Sequence, residues 1–241
     1  MASIPCLGEV ETDSTETQGL LSIPDYSGDL WTRSHLTGDG GGVRGDLANK
    51  GIQGEIRWNQ TVQSVVDGGR DTGTKYCGSF IYDVTFDLMR MGVLPGALVK
   101  VRAESRYGDS INDRTKMILP ANSDGFFPLT SHLDDSIPIS IFDLNYTQFL
   151  SDQIGLTIGK FDTLDGDPNE FAGGLGVSQF MNSHFLLSAP LALLVPYSTL
   201  GVGVIVLPNH QWTITSLLIN TTDASTDTGF DDIGDGATWI S

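Results

Sequence analysis

The chain has 241 residues, 39% of them hydrophobic, and carries 30 acidic against 13 basic side chains, for a formal charge of −17. That length fits one large all-β domain or two small ones. The charge argues against nucleic acid as a partner, because a phosphate backbone needs clustered Lys and Arg and the few bases here are dispersed among acids. The most apolar stretch, Phe185 to Leu207, is interrupted by Pro190 and Pro196, so no helix with the ~18 consecutive apolar residues needed to span a bilayer is encoded. Only strands could cross a membrane.

The start, Met1-Ala-Ser-Ile-Pro-Cys6, has neither a basic n-region nor an apolar h-region. An exported protein should carry both. Either the protein is cytoplasmic, or a leader has been trimmed or is encoded upstream of Met1. Residues 8–34 are polar, rich in Glu, Thr and Ser and without periodicity, so residues 1–35 are expected to be a flexible lead-in. After the glycines at 40–42, the segment from Val43 predicts a two-turn helix stopped at Gly51.

Seven strands are predicted from Ile52 onward, over 52–66, 75–88, 97–107, 139–150, 154–164, 195–207 and 211–220. Each has at least the ~9 residues that a tilted strand needs to cross hydrocarbon. In the first, steps of two place Ile52, Gly54, Ile56, Trp58, Val62 and Val66 on one face and Gln53, Glu55, Arg57, Asn59, Thr61 and Gln63 on the other. In the third, Lys100, Arg102, Glu104 and Arg106 share one face and Val99, Val101, Ala103 and Ser105 the other. Three cations on a lipid-facing surface would cost roughly 2–4 kcal/mol each near the midplane, so in a membrane the charged face must line water. The fifth strand breaks the rule, because Lys160 would share its face with Ile154, Leu156 and Ile158. Either Lys160 snorkels at a rim, or a bulge at Gly159 swaps the faces.

The connections alternate in length. Those after strands two, four and six are short, those after three and five are long, and strand seven is followed by an acidic tail. In an up-and-down sheet this gives one tidy rim and one elaborate rim, as in outer-membrane barrels. Alternation alone also fits an antiparallel sheet with one solvated face.

Other motifs carry less. Asp162, Asp165, Asp167, Asn169 and Glu170 suggest a calcium loop, but their register is not that of an EF-hand, and a polar loop accounts for them. His35, His132, His184 and His210 are isolated, and Cys6 and Cys77 are read as free thiols. No metal or cofactor is expected.

Several ordered segments together resemble the carbohydrate-selective porins of Gram-negative outer membranes, the OprB-type family. They are Leu36-Thr-Gly-Asp-Gly-Gly-Gly-Val-Arg44 with Leu47 and Gly51-Ile52, then Gly92-Val-Leu-Pro-Gly96, then Gly108-Asp-Ser-Ile-Asn112 with Leu119-Pro-Ala-Asn122. Gly159-Lys-Phe-Asp-Thr-Leu-Asp165 follows, with Phe171-Ala172 and Phe180-Met-Asn182. The family usually carries a Trp where Gly40 stands, and its members are about twice as long, so the chain resembles the N-terminal half of a porin, with an eighth strand starting at Trp239. The resemblance implies an antiparallel up-and-down transmembrane β-barrel, here partial and spanning residues 36–241. It also implies passive diffusion of sugars, an outer-membrane location in contact with lipid, and no catalytic residue.

Pore-lining residues follow from the alternation alone: Glu55, Arg57, Asp83, Asp87, Lys100, Arg102, Glu104, Arg106, Asp143 and Asn145. Lys100, Arg102 and Arg106 would form a ladder at the constriction. The rival readings are a soluble carbohydrate-binding β-sandwich with Trp58, Trp212 or Tyr82 as stacking platforms, and a β-rich glycoside hydrolase using a carboxylate pair.

Overall fold

Strands that alternate in this way and are joined in sequence order pair most simply with their chain neighbours, and they do so here. The structure, a computed structural model, describes residues 19–125, 138–163, 177–185, 195–209 and 212–241. Its strands are β1 (Ile52–Val65), β2 (Gly73–Asp87), β3 (Ala97–Gly108), β4 (Ser140–Ser151), β5 (Ile154–Asp162), β6 (Ser198–Asn209), β7 (Trp212–Asn220) and β8 (Ala237–Ile240). They form one antiparallel sheet in the order β1 to β8, with β1 and β8 as its edges. The seven expected strands are all present within a few residues of their expected bounds, and β8 covers the expected eighth start. A β-sandwich requires two sheets packed face to face. All eight strands lie in one sheet, so that alternative is set aside.

Helix α1 (Val43–Asn49) occupies the expected segment, and Gly51, at φ 87°, ends it. A second short helix, α2 (Asn112–Thr115), lies in the β3–β4 connection and was not expected. Among the described residues no helix is long and apolar enough to cross a membrane.

The β1–β2 register runs without a slip from Ile52↔Phe86 to Val65↔Gly73. A one-residue slip would move every charge of β1 to the other face. Two local irregularities then adjust the faces. A register shift between Arg102 and Ala103 lets Phe142 and Asp143 of β4 both become buried, while Ile141 and Leu144 on either side stay exposed. In β5 the change comes at Gly159. Ile154, Leu156 and Ile158 are exposed, but Lys160 is buried and its ammonium donates to the carbonyls of Ile141 (2.7 Å) and Asp227 (2.8 Å). Pairing with β4 stays continuous through Asn145↔Gly159 and Leu144↔Lys160. The backbone of Gly159, at φ 145°, thus redirects the side chain without an inserted residue. Lys160 is thus held by backbone carbonyls under the β7–β8 connection and not left on the exposed apolar face.

The short connections meet at one rim and the long ones at the other. At the short-turn rim, residues 19–22 are gripped from β1, β2 and the β2–β3 connection. Asp87 Oδ2 accepts from Leu21 N (3.0 Å), Arg90 Nη2 donates to Leu21 O (2.8 Å) and Gln53 Nε2 donates to Ser22 O (2.9 Å).

A Cβ at Gly159 would stand 2.7 Å from Asn145 Cα and closer still to the Leu144 carbonyl. Gly159→Ala is therefore expected to destabilise the chain by about 2 kcal/mol, through strain and loss of the Lys160 contacts. Gly54→Ala should change stability by less than about 0.5 kcal/mol, because a Cβ there meets only ordinary contacts, the nearest at 3.6 Å. Urea unfolding of both variants in detergent micelles measures the difference.

Candidate pore wall

Exposure along the strands runs opposite to that of a water-soluble sheet. In β1 the apolar residues Ile56, Trp58 and Val62 are exposed, Val62 at 68%, whereas Arg57, Asn59 and Gln63 between them are partly covered. In β2 and β3, Ser79, Asp87, Arg102 and Glu104 are buried, while Tyr76 is exposed. A polar environment outside would reverse this order.

The exposed face also carries aromatic groups at two levels, a cluster at one and a single tyrosine at the other. Toward the long-loop rim, Trp58 stacks on Phe80 (5.8 Å) and donates from Nε1 to Tyr107 OH (2.6 Å), and Tyr76 OH donates to Gln60 Oε1 (3.0 Å). Toward the other rim, Tyr146 OH donates to Gln148 Oε1 (2.6 Å), and Tyr146 pairs across strands with Val99. From Val99 to Tyr107 the chain rises about 27 Å at ~3.4 Å per residue. With a tilt of ~40° that is about 21 Å of height, close to the ~25 Å apolar band of a transmembrane barrel bounded by aromatic girdles.

On the opposite, inner face the charges pair with one another. Asp83 Oδ2 meets Arg57 Nη2 at 2.8 Å, and its Oδ1 meets Arg102 Nε at 2.6 Å. Arg57 also lies 3.8 Å from Glu55, and Arg102 Nη1 reaches Asp162 Oδ2 at 3.4 Å. The Arg102 guanidinium sits over the Phe142 ring, 5.3 Å from its centroid, a place opened by the β4 bulge. One string of ion pairs therefore links β1, β2, β3 and β5. A second group joins Lys100 Nζ to Asp143 Oδ2 (2.9 Å), with Asn145 Nδ2 donating to Asp143 Oδ1 (2.6 Å).

The ten residues expected on this face do not share one environment. Glu55, Arg57, Asp83, Lys100, Arg102, Asp143 and Asn145 belong to the two groups just described. Glu104 and Arg106 pair with each other at 2.8 Å, with side chains only 1% and 3% exposed. Of the proposed ladder, Lys100 is the open member at 21%, against 4% for Arg102. Asp87 is held under Leu21 and also accepts from Arg90 N at 3.0 Å.

The cover over Glu104 and Arg106 comes from the β3–β4 connection. Ser79, the cross-strand partner of Arg106, accepts from Asn59 Nδ2 (3.0 Å) and donates to Asp124 Oδ1 (2.6 Å). Asp124, Asn122 and Asp162 were not singled out as wall residues, and alternation could not reveal the first two, which lie outside strands. Asp162 continues the inner face of β5 once the change at Gly159 is known. Cys77, also on the inner face, is a free, buried thiol. The suggested calcium loop lies largely outside the described residues. Among the described residues, no group of three or more His, Cys, Asp and Glu side chains could hold a metal ion.

The model of the carbohydrate-selective porin, OprB family, matches residues 71–240. No curated protein matches the chain. Among solved structures, the high pH structure of Pseudomonas putida OprB is similar with a TM-score of 0.63 and 19% identity, over 81% of this chain and 47% of that one. The low pH structure of the same protein aligns at a TM-score of 0.37 and 14% identity, over 78% of this chain and 55% of that one. The chain thus spans about half the length of the solved structures it matches, and the first of these shares its antiparallel barrel-wall fold. With strands β2 to β8 inside the matched region, the chain belongs to the carbohydrate-selective porin, OprB family.

Proposed function

We propose that this chain supplies part of the wall of an outer-membrane pore through which carbohydrates diffuse passively, in a Gram-negative bacterium. The observation that carries this reading is the inverted polarity of the sheet, with its apolar face open and its ionic face turned inward. Lipid satisfies the first face and a water-filled lumen the second. The role is that of a channel, and Asp83, Glu104 and Asp143 of the inner face are each paired with a cation.

The wall chemistry suits sugars. Glu55, Arg57, Asp83, Lys100, Asp143 and Asn145 offer donors and acceptors of both signs in close alternation. Hydroxyl groups can exchange hydrogen bonds with such a surface without binding tightly, which permits passage. A lone ion gains less, because each fixed charge already has its counter-charge beside it.

The edges set a further condition. Among the described residues, β1 and β8 each leave a row of backbone N–H and C=O groups without a strand partner. In hydrocarbon each unsatisfied group costs several kcal/mol, so conduction requires additional strands on both edges. Residues 1–241 alone are expected not to conduct.

Membrane fractionation followed by sugar flux tests the reading. The chain should sediment with outer membranes and require detergent, and once joined to strands that complete the barrel it should pass sugars in liposome-swelling assays. Recovery as a soluble protein without detergent would reject it. Val101→Arg should weaken folding into lipid vesicles by about 2–4 kcal/mol, because Val101 belongs to the apolar row of β3. In the completed pore, Asp83→Ala leaves Arg57 and Arg102 without their shared counter-charge. Its reversal potential in a KCl gradient should shift toward anion selectivity, and Lys100→Ala should shift it the opposite way.

A further inference from the structure

The described parts of the connections that follow β3 and β5, residues 109–125 and 177–185, do not rest on the wall independently. Residues 119–125 touch β2 on one side and the β5–β6 connection on the other. Toward the wall, Asp124 Oδ1 accepts from Ser79 Oγ at 2.6 Å, and Asn122 Nδ2 donates to Cys77 Sγ at 3.6 Å. Asp124 is 2% exposed, and Asn122 is completely buried. Away from the wall, Ser123 N donates to Met181 O (2.8 Å), Ser123 Oγ and Ser183 Oγ share a hydrogen bond (2.7 Å), and Ser183 N donates to Pro120 O (3.0 Å). Internal bonds stiffen the piece between: Asn112 Oδ1 accepts from Asn122 N (2.9 Å) while its Nδ2 donates to Asn122 O (2.8 Å), and Asn122 Oδ1 accepts from Gly125 N (2.8 Å).

We propose that residues 119–125 are a keystone that positions residues 109–125 and 177–185 over the inner face, with Asp124 and Asn122 as its wall-side latch. This rests on the reading of that face as a lumen and deepens it. The latch decides which wall residues a solute meets, since Glu104 and Arg106 lie in the region where Asp124 is docked, whereas Glu55, Arg57, Asp83 and Lys100 lie beyond it. The argument is energetic. A buried carboxylate accepting from a hydroxyl is a charge-assisted bond, and its loss strands either Ser79 or the loop. The β5–β6 connection bonds to residues 120 and 123, so releasing the latch should loosen it as well.

Cys77 supplies a native reporter, because its thiol is 2% exposed and lies against Asn122. In a Cys6→Ser background, the rate of maleimide labelling at Cys77 in detergent reads how often the latch opens. Asp124→Ala should raise that rate about tenfold or more, and Asp124→Asn, which keeps an acceptor for Ser79, should restore most of the protection. Unchanged labelling in Asp124→Ala would overturn the proposal, and so would equal exposure in Asp124→Ala and Asp124→Asn. A second measurement covers a variant that fails to fold: in the unsubstituted chain in detergent, the amides of Ser123 and Ser183, which donate to Met181 O and Pro120 O, should exchange with deuterium at least about tenfold more slowly than exposed loop amides. Exchange as fast as that of an exposed loop would also overturn it. Neither readout uses sugar or current, so failure of the latch is distinct from failure of the pore reading, which fractionation decides.

Discussion

The inner face depends on one carboxylate shared by two guanidinium groups. Asp83 lies between Arg57 of β1 and Arg102 of β3, and each of its oxygens takes one of them. Arg102 is almost wholly buried, and a buried cation without counter-charges is more costly than any packing gain at this site could offset. Its second partner, Asp162, belongs to β5, beyond the intervening strand β4. That reach is possible because the irregularity beside Arg102 turns Phe142 inward and gives the guanidinium an aromatic surface to cross. The bulge, the aromatic ring and the distant carboxylate are one device for carrying charge across the sheet.

The same requirement explains why the long connections carry so much polar detail. A loop that covers part of a charged wall removes water from it, and each wall group so covered needs a partner from the loop. Ser79 receives Asp124, Cys77 receives Asn122, and Lys160 receives the Asp227 carbonyl. Arg114 ties the first connection to the second, accepting at its carbonyl from Arg70 N (2.8 Å) and bridging to Asp71. The short-turn rim needs less of this, because its turns close on themselves and on Gly96, whose carbonyl accepts from Phe149 N at 2.7 Å.

Strand positions and faces were legible in the sequence because period two was marked by charge: Lys100, Arg102, Glu104 and Arg106 leave one registration of β3, with all four charges on one face. What covers a face was not legible. Asp87 follows Asp83 and Thr85 in the alternation, yet its carboxylate is taken by Leu21, which lies 66 positions earlier. Glu104 and Arg106 alternate with Val101 and Ala103 just as Lys100 does, and only the fold of residues 109–125 separates them from it. Lys160 was ambiguous for a local reason. A glycine in a strand can hold either an ordinary extended conformation or the positive φ seen at Gly159, and no neighbouring side chain announces which. Asp162 reads from the sequence as the first residue of a loop motif, because the face change at Gly159, three residues earlier, hides its place on the inner face.

The distribution of charge follows from the same separation of wall and loop. The ten residues proposed for the wall comprise five acids, four bases and one amide, so as a set they are close to neutral, although the chain as a whole stands at −17. Nearly all of the acidic excess therefore lies in the connections and the N-terminal region, including Asp223, Asp227, Asp231, Asp232 and Asp235 between β7 and β8. A negative rim draws cations and repels anions over roughly a Debye length, about 8 Å at physiological ionic strength, and leaves an uncharged solute unaffected. Farther in, the paired wall presents little net field to any of them. On the proposed reading of this sheet as a pore wall, a neutral polyhydroxylated solute is the class that meets no electrostatic barrier at the mouth and no deep well along the wall, and it can still exchange its hydrogen bonds for those of the lining.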